Sequence, residues 1–159
     1  NLFRQVMRIF VTVGTTSFDS MIENIDQYFN ENKKYNVNFQ IANGNYIPKS
    51  GAFFSFRDDV DVFYNDADVI ITHAGAGTLY QLLEKGKKII AVPNLERIDK
   101  HQVDIATYME RNHYLLVCWD YNEIGDLLKS IHNFKPNPYY KIEFDKGKEI
   151  ADYIRSLYS

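Results

Sequence analysis

The sequence predicts a doubly wound α/β domain built on one parallel sheet, and three observations carry that expectation. Short β-branched runs alternate with helical periods along nearly the whole chain. Most of those runs are continuously apolar rather than alternating, as strands covered by helices on both faces must be. The chain has 159 residues, one domain's worth, long enough to bury roughly 68–70% of its unfolded surface, and no repeat or linker divides it.

Asn1 to Val6 precede Met7, where the first periodic segment opens, and read as an appended remnant or an upstream arm. The domain is therefore expected over residues 7–159. Ile9 to Val13 is the first strand, and Phe18, Met21, Ile22 and Ile25 give the i, i+3, i+4, i+7 stripe of the first helix. Val37 to Ala42 and Phe53 to Phe56 are the next two strands, with Asn43-Gly44-Asn45 and Lys49-Ser50-Gly51 punctuating the chain between them. Val69 to Thr72 follows, then a stripe of Leu79, Leu82, Leu83 and Gly86. Ile89 to Val92 leads to a stripe of Gln102, Ile105, Ala106 and Met109, and Leu115 to Cys118 is the sixth strand. Helices are expected over Tyr121 to Ile131 and Phe144 to Leu157, separated by the connector Lys135-Pro136-Asn137-Pro138. In such a sheet ligands lie beyond the carboxyl ends of the strands.

Composition narrows the function classes. With 45% hydrophobic and 25% charged residues, 4 Pro and 8 Gly, the chain is globular. Its 18 basic and 21 acidic residues leave a net charge of −3, without the basic excess that a nucleic-acid partner would call for. Cys118 stands alone, so no internal disulfide forms and a reducing, cytoplasmic setting is expected. No apolar run is long enough to span a bilayer and the start has no signal-peptide pattern, so neither spanning nor export is expected. Aromatic residues reach 15%, with 12 Tyr and 11 Phe. Phe53, Phe54, Tyr139 and Tyr140 flank loops and are candidate partner contacts; an aromatic-rich core is the plainer reading.

Two strand-to-helix junctions concentrate chemistry. Val13-Gly14-Thr15-Thr16-Ser17 follows the first strand, and Thr72-His73-Ala74-Gly75-Ala76-Gly77-Thr78 follows the fourth. Glycine admits a tight turn or a close anion, and the following helix start offers unpaired N–H groups and positive potential, so both loops read as phosphate cradles. Neither is a Walker A sequence or a full dinucleotide fingerprint, and tight βα turns alone also account for glycines there. His73 stands where it can donate to a phosphate, orient a loop or transfer a proton. Asn94, at the end of the fifth strand, and Asp99-Lys100-His101-Gln102, at the next helix start, converge on the same sheet edge; Asp99 also suits an N-cap. Asp66-Ala67-Asp68 has the form of a metal-binding Asp-x-Asp but precedes a strand, opposite the expected cleft. His113 and His132 lack partners at ligand spacing, so no metal is expected.

Val11 to Asp19, Ala67 to Thr78, Lys85 to Asn94 and Asp99 to Gln102, in this order, resemble the carboxyl-terminal domain of glycosyltransferase family 28. Within it the likeness is nearest to free-standing catalytic subunits of two-subunit UDP-GlcNAc transferases, in dolichol-linked oligosaccharide synthesis and in bacterial capsule or exopolysaccharide synthesis. It runs from Met7 to about Trp119. The resemblance implies one half of a GT-B enzyme, binding a UDP-sugar and paired in a heterodimer with a membrane-anchored subunit that supplies the other half and the lipid-linked acceptor. Recruitment to the membrane would then be peripheral, through that partner. By position it implies that Gly14, Thr15 and Thr16, with His73, Gly75, Ala76, Gly77 and Thr78, face the nucleotide diphosphate, and that Asn94, His101 and Gln102 lie near the donor sugar. Gln81 stands where the family often has a Glu on the ribose hydroxyls; an amide still bonds a diol, without a carboxylate's charge. The function implied is transfer from a UDP-sugar to a lipid-diphosphate-linked acceptor, without a cofactor or metal, with His73 as the catalytic candidate and the general base left to the partner. The alternative is a non-catalytic enhancer or binding subunit of such a transferase.

Overall fold

The computed structural model describes residues 6–140 and 153–157. Six strands, β1 (Arg8–Thr12), β2 (Asn36–Gln40), β3 (Ala52–Phe54), β4 (Val69–His73), β5 (Lys88–Val92) and β6 (Leu116–Val117), form one sheet in the order β3-β2-β1-β4-β5-β6. Every pairing is parallel. From β1 the chain winds outward through β2 to β3, and from β4 outward through β5 to β6. The adjacent pair β1 and β4 is therefore the topological switch point, the place where an open α/β sheet leaves a crevice.

The unbroken apolar runs are explained by two cores. Ile9, Val11, Val69, Ile71, Ile90 and Val92 point to one face, under α1 (Asp19–Glu31) and α5 (Ile124–Asn133). Phe10, Ile70, Ile89 and Ala91, which alternate with them, point to the other, under α3 (Ala76–Glu84) and α4 (His101–Arg111). Each strand thus spends successive side chains on opposite cores.

Some expectations are corrected. A helix absent from the sequence reading, α2 (Val60–Asp66), carries the chain from β3 to β4. Gly86 is not part of the α3 stripe: the helix ends at Glu84, and Gly86 takes φ +69° in a Schellman turn. Gly86 N–H there donates to the Leu83 carbonyl at 3.0 Å and Lys87 N–H to that of Leu82 at 3.1 Å. Phe54 and Tyr139 are half-buried, Phe54 against Phe10 and Phe63, Tyr139 against Tyr80 and Tyr114. Phe53 and Tyr140 are exposed, at 45% and 69%. The helix expected from Phe144 to Leu157 lies partly outside the described residues; residues 153–156 are helical.

The crossover from β2 to β3, residues 41–51, contains no helix and is fastened by a carboxylate of α1. Asp26 is fully buried and accepts from Tyr46 Oη at 2.6 Å, Lys49 N at 3.1 Å, Ser50 N at 2.8 Å and Ser50 Oγ at 2.6 Å. Burial works against its charge, yet the Ser50, Tyr46 and Lys49 donors together hold its carboxyl below the usual range. The Asp66 and Asp68 side chains lie at the opposite end of the sheet from the crevice. There they hold Arg8, Asp66 by an ion pair at 2.5 Å and Asp68 by accepting the Arg8 N–H at 2.8 Å. No helix among the described residues is long and apolar enough to cross a membrane.

Candidate functional site

β1 and β4 end side by side, Thr12 in register with Thr72. The two glycine loops therefore leave the sheet as neighbours. The His73 ring lies between them. A Cβ on Gly14 would fall 2.6 Å from His73 Cε1, and one on Gly75 would fall 2.3 Å from Nε2. Both positions exclude any side chain as the ring stands, and Gly14 also has φ +75°. The glycines that sequence reading assigned to anion approach have a first duty to the imidazole.

Each loop is fixed by one glutamine amide. Gln40, the buried last residue of β2, accepts at Oε1 from Thr12 Oγ1 at 2.5 Å and from the Val13 and Gly14 N–H groups at 3.0 Å each. Its Nε2 donates to the Gly14 carbonyl at 2.8 Å and the Ser55 carbonyl at 2.9 Å. Gln102, at the second position of α4, accepts at Oε1 from Ala74 N at 3.3 Å and Asn94 N at 3.1 Å, tying the β4 loop to the β5 loop.

Two cavities open at this edge. The smaller, about 180 Å³, is lined by Thr15, Thr16 and Ser17 of the first loop, by His73 and Gly75 of the second, and by Asn94, Arg97 and Gln102. The larger, about 740 Å³, lies between the starts of α3 and α4 and is lined by Gly75, Ala76, Tyr80, Arg97, His101 and Gln102, among others. Gly75, Arg97 and Gln102 border both. The N–H groups of Ala76, Gly77 and Thr78 precede the first bond within α3, which Leu79 N makes to the Gly75 carbonyl at 3.0 Å.

Burial pushes the His73 imidazole down to about 4; the Thr12 carbonyl, accepting from the ring, opposes this and the positive charge of Arg97 adds to it. At neutral pH the ring is uncharged, and a neutral imidazole has one N–H. His73 in this state therefore has a single proton to donate and no charge to offer an anion. Thr72 Oγ1 braces the ring, 3.1 Å from Nδ1, while donating to the His73 carbonyl at 2.9 Å.

The expected site residues fall into three groups. Thr15, Thr16, His73, Gly75, Ala76, Asn94, His101 and Gln102 line one cavity or both. Gly14, Gly77 and Thr78 stand within the two loops or the first turn of α3 without lining either cavity. Gln81 is not brought to the cavities: its Nε2 donates to Asp61 Oδ1 of α2 at 3.0 Å. Sequence reasoning missed Gln40 and Arg97. A glutamine closing an otherwise apolar buried run was a usable signal for the first; nothing in its local sequence marks the second. Among the described residues no group of three or more His, Cys, Asp or Glu side chains is arranged to hold a metal ion.

Comparison with known proteins places this geometry. Residues 8–155 match the glycosyltransferase family 28 C-terminal domain. The UDP-N-acetylglucosamine transferase subunit ALG13 of Homo sapiens is 34% identical over 122 residues, covering 69% of this chain and 11% of the human protein. The protein of the same name from Yarrowia lipolytica is 28% identical over 139 residues, covering 79% of this chain and 71% of its own length. The chain thus spans about a tenth of the human relative and most of the yeast one. Among solved structures, Acinetobacter baumannii MurG superposes with a TM-score of 0.66 at 18% identity, over 96% of this chain and 46% of MurG. An NMR structure of ALG13 superposes with a TM-score of 0.64 at 18% identity, over 98% of both chains.

Proposed function

The chain belongs to glycosyltransferase family 28, as its C-terminal domain, and from that premise we propose that it is the donor-binding catalytic half of a two-subunit enzyme. In this reading the enzyme transfers a sugar from a UDP-sugar to a lipid-diphosphate-linked acceptor. The observation that carries the reading is the polar cavity at the switch point, enclosed by the loops after β1 and β4 and bordered by the start of α3. A diphosphate there meets the Thr15, Thr16 and Ser17 loop on one side and Gly75, at the positive N-terminal end of α3, on the other. The name of the ALG13 relatives supports N-acetylglucosamine as the sugar, with glycan synthesis as the setting.

In the transfer the acceptor hydroxyl oxygen bonds to the anomeric carbon, and the bond from that carbon to the β-phosphate oxygen breaks. The electron pair leaves with UDP. The acceptor proton goes to a base, which we assign to the membrane-anchored partner half. What this chain supplies is a preset field for the growing charge on UDP, from helix-start N–H groups and loop donors. Asn94, His101 and Gln102 border the donor sugar, and no metal is required. Gln81 remains the ribose candidate only if the nucleoside reaches the α2 side of α3, where its amide lies beside Asp61.

Ala76→Asp tests the site cleanly. A carboxylate in the first turn of α3 favours the helix by about 0.3–1 kcal/mol through its dipole, while setting a negative charge at the helix start beside the diphosphate. Titration calorimetry should show UDP affinity falling at least tenfold with the melting temperature held or raised. Equal UDP affinity in wild type and variant would overturn the assignment.

A further inference from the structure

The site described so far holds no cation for a diphosphate. Helix-start N–H groups offer partial charges, and the buried His73 ring is neutral at pH 7. Among the described residues Arg97, in the loop between β5 and α4, is the one basic side chain that borders both cavities. Its present partner is Asp99, two residues on. Arg97 Nε and Nη2 both reach one carboxylate oxygen, Oδ2, at 3.1 Å each. The other oxygen, Oδ1, accepts the His101 N–H that opens α4, at 3.4 Å.

That arrangement is a poor use of a guanidinium. Two donors converge on one oxygen rather than forming two parallel bonds, and both side chains are exposed, 42% for Arg97 and 44% for Asp99, so the pair is worth little to the fold. A carboxylate held by an arginine fork and a backbone N–H occupies the same kind of donor set that a phosphate group takes. The Arg97–Asp99 bonds span two residues of one exposed loop, and the pair reaches another element only through the His101 N–H at the start of α4. Its position at the rim of the cavities, rather than any structural task, is what it has in common with the site.

Resting on the reading of the cleft as a UDP-sugar site, we propose that Arg97 is a diphosphate-binding residue and that Asp99 is its exchangeable internal partner. On donor binding the guanidinium leaves Asp99 and takes phosphate oxygens. Arg97 then supplies the full positive charge against which the leaving UDP develops its own. Asp99 screens that charge when the cleft is empty and sets a threshold that uridine alone cannot meet, because only the phosphates compete for the arginine.

The experiment is calorimetric titration of the chain with UDP, UMP and uridine, for wild type, Arg97→Ala, Arg97→Lys and Asp99→Asn. Arg97→Ala should weaken UDP by about tenfold or more, as loss of a charged hydrogen-bond partner does, UMP by less, and uridine by less than twofold. Arg97→Lys should recover part of the loss. Asp99→Asn keeps an oxygen for the His101 N–H and should bind UDP severalfold more tightly. Raised salt should weaken UDP less in Arg97→Ala than in wild type. UDP affinity of Arg97→Ala within twofold of wild type would overturn the proposal. So would equal losses for UDP and uridine, or an Asp99→Asn variant that loses as much as Arg97→Ala, which would make the pair a scaffold. If wild type binds neither UDP nor uridine, it is the functional reading that fails, and this inference falls with it.

Discussion

Gln40 holds Gly14 by both of its backbone polar groups, accepting from the Gly14 N–H at 3.0 Å and donating to the Gly14 carbonyl at 2.8 Å. The Gly14 N–H is therefore not free for a phosphate. The contribution of Gly14 to the site is shape: it turns the chain, admits the His73 ring and delivers Thr15 and Thr16 to the cavity.

The first prediction concerns Gln40→Glu. The carboxylate keeps the acceptor for Thr12, Val13 and Gly14 but turns two donors into a charge facing the carbonyls of Gly14 and Ser55. We expect a stability loss of about 2–4 kcal/mol at pH 8 and a weakened UDP affinity in the folded fraction. Such a carboxyl should titrate well above its ordinary value. Protonation restores one O–H donor, so the gap in melting temperature from wild type should narrow as pH falls from 8 to 5. A constant gap across that range would show that the carbonyl contacts do not matter.

Asp26→Asn is the second. The side chain keeps one acceptor oxygen but presents an NH₂ to groups that are themselves donors, Ser50 N, Ser50 Oγ, Lys49 N and Tyr46 Oη. Chemical denaturation should report a loss of about 2–4 kcal/mol. The folded Asp26 carboxyl titrates below its unfolded value of 3.8. Its contribution is thus complete above that value and lost as pH falls through the lower, folded one. The variant's deficit should accordingly shrink only at pH below about 4.

What the sequence revealed and concealed follows from these same contacts. Parallel strands between two helix layers need apolar residues on both faces, so β1, β4 and β5 stood out as continuous runs, while the order that makes β1 and β4 neighbours is seen only in the sheet. Helix α2 escaped because it makes only two turns, although Val60, Phe63 and Tyr64 do fall at i, i+3, i+4. Gly86 was placed in a stripe because its spacing fits one, and only the turn geometry separates a stripe from a stop. Loop glycines betray a junction, hence Gly14 and Gly75. The residues that immobilise the junctions lie elsewhere in the chain: Gln40 is 26 positions from Gly14 and Gln102 is 28 from Ala74. Arg97 lies in an aperiodic loop and is marked only by the cavities it borders.

Burial of His73 sets the third prediction. Its folded pKa is lowered from 6.5 to about 4, so between those values the unfolded chain binds a proton that the folded chain refuses. Stability therefore rises with pH across this window and is lost as pH falls through it. The loss should be on the order of 3 kcal/mol for a shift of this size. His73→Gln removes the titration, and its stability measured by urea unfolding should be flatter between pH 6.5 and 4. A wild-type curve already flat there would mean that the ring is protonated in the fold, with a charge to offer a phosphate.

The last prediction is that this chain binds UDP by itself and transfers sugar only with a second chain. The cavities sit at one edge of a single sheet, and their far wall would have to come from another body. The loop carrying Arg97 also presents Leu95, 60% exposed, and Ile98, fully exposed. Apolar side chains held in water beside a polar cleft are the contacts a covering domain would desolvate. Transfer from radiolabelled UDP-GlcNAc to membrane lipid, assayed with the purified chain and then with a membrane-anchored partner, should be near background in the first case and robust in the second. Ile98→Glu should then raise the partner concentration needed for half-maximal transfer by about tenfold, as loss of a well-buried interface contact does, while leaving the UDP affinity of the lone chain unchanged. Full turnover by the chain alone on a detergent-solubilised acceptor would remove the need for a second half and leave one open sheet edge to account for the whole reaction.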